Sequence, residues 1–113
     1  MRINCRQVVV ENFFEPGILY LLFKKPSYGY EIQKSLKENC ICEVNMGNLY
    51  RCLSRMQKQG YLTRKAAKSK IGPQRYSYTI TKEGKKYLAS WIESLKKQKK
   101  VISSLINNYQ KII

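Results

Sequence analysis

Asn45-Met46-Gly47-Asn48-Leu49-Tyr50-Arg51-Cys52-Leu53-Ser54-Arg55-Met56, closed by Gly60, is the stretch on which the reading of this chain turns. Leu49, Leu53 and Met56 recur at i, i+4 and i+7, which places them on one helix face, toward a core. Gly47, Tyr50, Arg51, Ser54 and Lys58 fall on a neighbouring face of small, polar and cationic groups. Asn45 can cap the start through its side-chain oxygen, and Gly60 can take the left-handed conformation that ends the helix. From Val44 to Thr81 the chain carries eight Lys or Arg and no Asp or Glu. A short amphipathic helix with a cationic outer face in an acid-free region is built to lie against phosphates. The competing reading is an ordinary solvated helix, and the missing acids weigh against it.

The composition agrees. A chain of 113 residues is one domain with a modest core that an oligomer interface would help to complete. The net charge is +15 and histidine is absent, which removes His-based catalysis and His-rich metal sites and favours an anionic partner. With no convergent carboxylates and no phosphate-binding glycine loop either, no enzyme and no cofactor are expected. The longest apolar run, Gly17 to Phe23, is too short for a membrane span. Arg2 and Arg6 are not followed by an apolar core and a small-residue cleavage site, so a signal peptide is not read here. The expectation is a cytoplasmic protein that does not enter the membrane, with Cys5, Cys40, Cys42 and Cys52 kept as thiols.

Residues 1–14 read as a helical or irregular arm, with Val8-Val9-Val10 strand-like and Phe13-Phe14 approaching a helix. Pro16 fits a first helical turn, and Ile18, Leu19, Leu21, Leu22 and Phe23 make a short apolar helix that should be buried. Ser27 is the expected N-cap of a second helix from Tyr28 to about Asn39, with Ile32 and Leu36 inward. Gly29 is costly in a helix and is read as permitting close packing. Cys40 to Val44 link to the cationic helix, possessing some strand character, and the pair of helices describes a helix-turn-helix. Tyr61 to Ala67 reads as a strand, and Tyr76, Tyr78 and Ile80 alternate with Ser77 and Thr79 as a second. Between them lies a basic, turn-rich tip, so a β-hairpin follows the helix-turn-helix. This is a winged helix.

Thr81 then caps a long last helix. Leu88, Leu95, Ile102 and Tyr109 are spaced by seven, as are Trp91, Gln98, Leu105 and Ile112. Two interleaved heptad series make a coiled-coil-like seam on a helix of roughly 45 Å, which asks for a partner helix, most simply its copy in a homodimer. The alternative is a break at Lys96-Lys97-Gln98-Lys99-Lys100 that lets the helix fold back. The expected architecture is mainly α with a small β-hairpin (α+β): a winged helix-turn-helix over 1–80 and a C-terminal dimerisation helix over 81–113.

Glu15-Pro16-Gly17-Ile18-Leu19-Tyr20-Leu21-Leu22, Pro26-Ser27-Tyr28-Gly29-Tyr30-Glu31-Ile32, Gly47 to Met56, Gly60-Tyr61-Leu62, Gly72-Pro73 and Tyr78 to Gly84 together resemble the PadR family of bacterial transcriptional regulators. The match runs in register from about residue 15 to 88 and is similar to the small subfamily with a single C-terminal helix. The resemblance implies a homodimeric repressor, often of its own operon or of stress and efflux genes. Asn48 stands where a small hydroxyl residue is frequent, a change that bears on base preference, and Met56-Gln57 replaces the usual Leu-Glu.

The expected contacts to double-stranded operator DNA are Asn48, Tyr50, Arg51, Ser54, Arg55 and Lys58 on the helix, and Lys68, Lys70, Gly72, Pro73 and Arg75 around the hairpin tip. Tyr50 is equally readable as a flank aromatic, and the tip as a solubilising loop. The expected dimer seam is Leu88, Trp91, Leu95, Ile102, Leu105, Tyr109 and Ile112. Some members of the family bind flat, often cationic molecules between aromatics near the seam. Phe13, Phe14 and Trp91, with Leu88 and Leu95, are the candidate cavity for a small aromatic or cationic effector, against plain interface packing. Cys40-Ile41-Cys42 lacks the ligands of a tetrahedral metal site, so no metal is expected; a thiol-based oxidation sensor is the more credible use of that pair. Cys52 is read as a small core hydrophobe.

Overall fold

The apolar segment around Pro16 forms helix α1 (Phe14–Lys24), with Pro16, Ile18, Leu19 and Leu22 buried. It is the central piece of a computed structural model that describes residues 14–38, 44–67 and 75–113. A two-residue strand, β1 (Ser27–Tyr28), leads into α2 (Gly29–Glu38), and α3 (Met46–Lys58) follows. Strands β2 (Leu62–Ala67) and β3 (Arg75–Ile80) then form the hairpin, and α4 (Lys82–Ile112) closes the chain. The fold is mainly helical with one small antiparallel sheet. The N-terminal arm, the Cys40-Ile41-Cys42 link and the hairpin tip at 68–74 lie outside the described residues.

Two points of the strand and cap reading change. The first is a third strand. β1 pairs antiparallel with β3, Ser27 opposite Tyr78 and Tyr28 opposite Ser77, giving the order β1-β3-β2. The second follows from it: Ser27 is committed to the sheet and does not cap α2. Glu31 does that work by turning its carboxylate back to accept the Tyr28 N–H at 2.9 Å, the reciprocal half of a capping box.

The other helix ends follow their sequences. Asn45 has an extended backbone and its side-chain oxygen accepts the Asn48 N–H at 3.2 Å. Gly60, at φ +86°, ends α3 in the left-handed region. Thr81 caps α4 by accepting the Gly84 N–H, while its own hydroxyl donates to the Gly60 carbonyl at 2.6 Å. One side chain thus ties the end of α3 to the start of α4. Gly84 is obligatory there, because a Cβ would run into the Tyr61 backbone carbonyl.

The core gathers Ile18, Leu19 and Leu22 of α1, Ile32 and Leu36 of α2, and Leu49, Cys52, Leu53 and Met56 of α3 against Leu62, Tyr78 and Ile80 of the sheet. Leu62 and Ile80 face each other across the hairpin, so its register is set by burial on one face. Leu88 also belongs here, 7 % exposed within the single chain. It is thereby core rather than seam, a correction to its expected place. The first turns of α4 therefore share the core across the boundary expected at 80/81. Beyond them α4 leaves the body and runs unbroken through Lys96–Lys100, which excludes the fold-back alternative. The molecule measures 62 × 33 × 20 Å as a result.

Candidate nucleic-acid interface

Burying Leu49, Cys52, Leu53 and Met56 turns the opposite side of α3 outward. Gly47, Asn48, Tyr50, Arg51, Ser54, Arg55 and Lys58 are all exposed there. Within that face the side chains are not equivalent. The Arg51 guanidinium donates to the Asn48 side-chain carbonyl one turn earlier, so these two present a joined edge of donors and acceptor. Tyr50 is 45 % exposed, with its ring lodged against α2: the hydroxyl lies 2.8 Å from where a Gly29 Cβ would stand. Gly29 therefore admits a side chain, and Tyr50 spans both helices of the pair. Ser54 and Lys58 continue the exposed side.

Arg55 differs from its neighbours. Its guanidinium donates to the Glu15 carboxylate at 3.2 Å and lies 3.5 Å from the Cys52 sulfur, and the charge-assisted bond to Glu15 raises its pKa further. This residue, expected among the DNA contacts, thus also has a partner within the chain, and its side chain remains 55 % exposed.

Along the hairpin, cations rest on tyrosines. Arg64 sits 4.1 Å from the Tyr76 ring centroid and Arg75 sits 5.5 Å from that of Tyr30. Tyr28 and Tyr30 lie parallel with centroids 6.0 Å apart. Burial raises the Tyr78 phenol pKa, and the Arg64 guanidinium offsets part of this. Sequence reasoning missed Tyr30 and Arg64. Arg64 is exposed, and the register, with Arg64 opposite Tyr78, brings it beside the tyrosines of β3. Of the hairpin candidates Arg75 is exposed, and Lys68, Lys70, Gly72 and Pro73 lie outside the described residues.

Among the described residues no three Cys, Asp or Glu side chains cluster as metal ligands. Cys52 is buried, and burial pushes its thiol up to about 11, against a smaller opposing pull from Arg55. A protonated thiol is a poor nucleophile. In a Cys5→Ser, Cys40→Ser, Cys42→Ser background, Cys52 should resist iodoacetamide at neutral pH and react once urea unfolds the chain; ready alkylation of the folded protein would refute this. Because folding favours the protonated thiol, its contribution to stability is full below the ordinary thiol pKa, ~8.5, and is lost as pH rises through about 11.

At the far end, Trp91 is half-buried, edge-on to Tyr87 with centroids 6.3 Å apart. Its indole N–H is covered and has no hydrogen-bond partner among the described residues. Phe14 packs against the same core, and Phe13 lies outside the described residues. Leu95 is half-buried. Ile102, Leu105, Tyr109 and Ile112 are exposed, and Val101 and Ile106, which the heptad count omitted, are exposed beside them. At ~100° per residue these six fall within one arc of about 140°. No described helix is long and apolar enough to cross a membrane.

A helix-turn-helix with a cationic second helix, followed by a β-hairpin, defines a winged-helix, DNA-binding fold. The sequence matches the Transcriptional regulator PadR-like family over residues 18–90, and the chain belongs to that family of transcriptional regulators. Among similar structures, a transcriptional regulator from Clostridium thermocellum is 30 % identical, with a TM-score of 0.78 over 91 % of this chain and 97 % of that one. A PadR-like regulator from Bacillus cereus is 30 % identical, with a TM-score of 0.72 over 81 % and 89 % of the two chains. Bacillus subtilis PadR in complex with operator DNA is 26 % identical, with a TM-score of 0.63 over 69 % of this chain and 46 % of that one.

Proposed function

We propose that this protein is a homodimeric repressor that binds an inverted-repeat operator, with α3 in the major groove and the hairpin tip on the flanking backbone. Residues 1–80 read the DNA and 81–113 join the two copies. The observation that carries this reading is the exposed face of α3, where Asn48, Arg51, Ser54 and Lys58 stand together with no acid on the helix. Arg and Asn are the side chains suited to guanine and adenine edges. Support for the dimer comes from the uncovered apolar arc of α4, an area a soluble monomer rarely leaves exposed. A relative of known fold, Bacillus subtilis PadR, has been captured on its operator, which makes the same docking the natural reading here.

The alternative is a basic protein that grips any nucleic acid through its +15 charge. Titrating DNA from upstream of its own gene against bulk competitor at near-physiological salt separates the two. A specific regulator should protect a defined inverted repeat and prefer it ~10³-fold or more. Equal affinity for both DNAs would leave only the non-specific reading.

A further inference from the structure

Glu15, in the first turn of α1, is 14 % exposed in its side chain. Its two oxygens are divided between two other helices. Oε1 accepts the Tyr87 phenol of α4 at 2.6 Å, and Oε2 accepts Arg55 Nη2 of α3 at 3.2 Å. A carboxylate this far from solvent is costly unless it is paired, and both of its partners are brought from outside its own helix. The phenol is itself held. Tyr87 stacks on Tyr61, with centroids 4.1 Å apart and planes 9° from parallel. Tyr61, three residues past the end of α3, in turn donates its N–H to the Met56 carbonyl at 2.9 Å. The contacts therefore close a ring, from Glu15 to Arg55, along the end of α3 to Tyr61, across to Tyr87 and back to Glu15.

α1 packs against both α3 and α4. Apolar packing alone tolerates small sliding, whereas a carboxylate shared between a phenol and a guanidinium fixes direction as well as distance. We infer that Glu15 is a positioning residue that sets the angle of α3 against α4, and through it the separation of the two α3 helices on an operator. This rests on the reading that α3 docks on DNA and α4 pairs the copies. It also assigns Arg55 a place that its position on the cationic helix conceals: the Glu15 carboxylate holds its guanidinium, which leaves base and phosphate contacts to Arg51 and Lys58.

The test uses the full-length protein and the operator found by protection, remade with its half-sites moved apart or together by one base pair. Each such step shifts a half-site by about 3.4 Å and rotates it about the duplex axis. Wild type should bind the native spacing best. Glu15→Gln and Tyr87→Phe should each reduce the preference for native over shifted spacing by roughly fivefold, with the dimer retained in light scattering. Glu15→Gln also frees Arg55, so its salt dependence should steepen by about one counterion; Tyr87→Phe keeps the ion pair and should leave the slope unchanged. If both variants melt at lower temperature yet reproduce the wild-type spacing profile, Glu15 is a stabilising contact only and the inference is overturned. A wild type that finds no operator overturns the docking reading, and this inference with it. A wild type with an operator but indifferent to spacing overturns this inference alone.

Discussion

Leu105→Lys is expected to convert a dimer into well-folded monomers. Leu105 is 69 % exposed in the single chain and lies on α4 well beyond the core, so the substitution leaves the winged helix untouched. In a paired seam the same position is enclosed by the partner helix. Two copies would then bring two ammonium groups into one apolar layer, at a cost of several kcal/mol. Operator affinity should fall with the dimer. When the copies are joined, the second half-site is bound at an effective concentration set by the link, an advantage of about 10²–10⁴ that independent monomers lack. Light scattering at micromolar concentration reads the first effect, and titration of an intact operator against a single half-site reads the second. The monomeric variant should bind both DNAs alike. A wild type that is already monomeric, or a variant that remains dimeric, would take the exposed arc of α4 out of the assembly.

What could be read from the sequence is what depends on near neighbours. Leu49, Leu53 and Met56 announce their shared face through helical spacing, and the caps at Asn45 and Thr81 act over three residues. The hairpin shows itself in the alternation of Tyr76, Tyr78 and Ile80. β1 does not, because two residues carry no period, and Ser27 has the same polar character whether it caps a helix or edges a sheet. Leu88 illustrates the opposite failure. Its spacing from Leu95 fits a heptad, but the heptad pattern is blind to whether the covering surface belongs to the same chain. The Glu15 contacts join residues 40 and 72 positions apart, so no local pattern marks Arg55 as different from Arg51. Charge alone put them in one class, and only the fold separates them.

That separation sharpens the expectation for Arg51. With Arg55 held by Glu15, Arg51 is the arginine of α3 whose described hydrogen bond is to a neighbour on the same exposed face, the Asn48 side chain. Asn48 steadies the guanidinium and leaves other donors of its fork available, an arrangement suited to the two acceptors of a guanine edge. Arg51→Ala should therefore cost about 1–3 kcal/mol on the operator and much less on scrambled DNA, so the preference between them shrinks. Asn48→Ala keeps the guanidinium but removes its support, and should produce a smaller loss in the same direction. Tyr50→Phe removes only a hydroxyl from a ring braced against Gly29, and should weaken both DNAs by a similar, small factor, as a phosphate anchor would. Paired titrations of each variant, operator and scrambled at one fixed salt, give the comparison. Should Arg51→Ala lose both affinities equally, Arg51 grips the backbone, and discrimination passes to Asn48 or to the shape of the DNA.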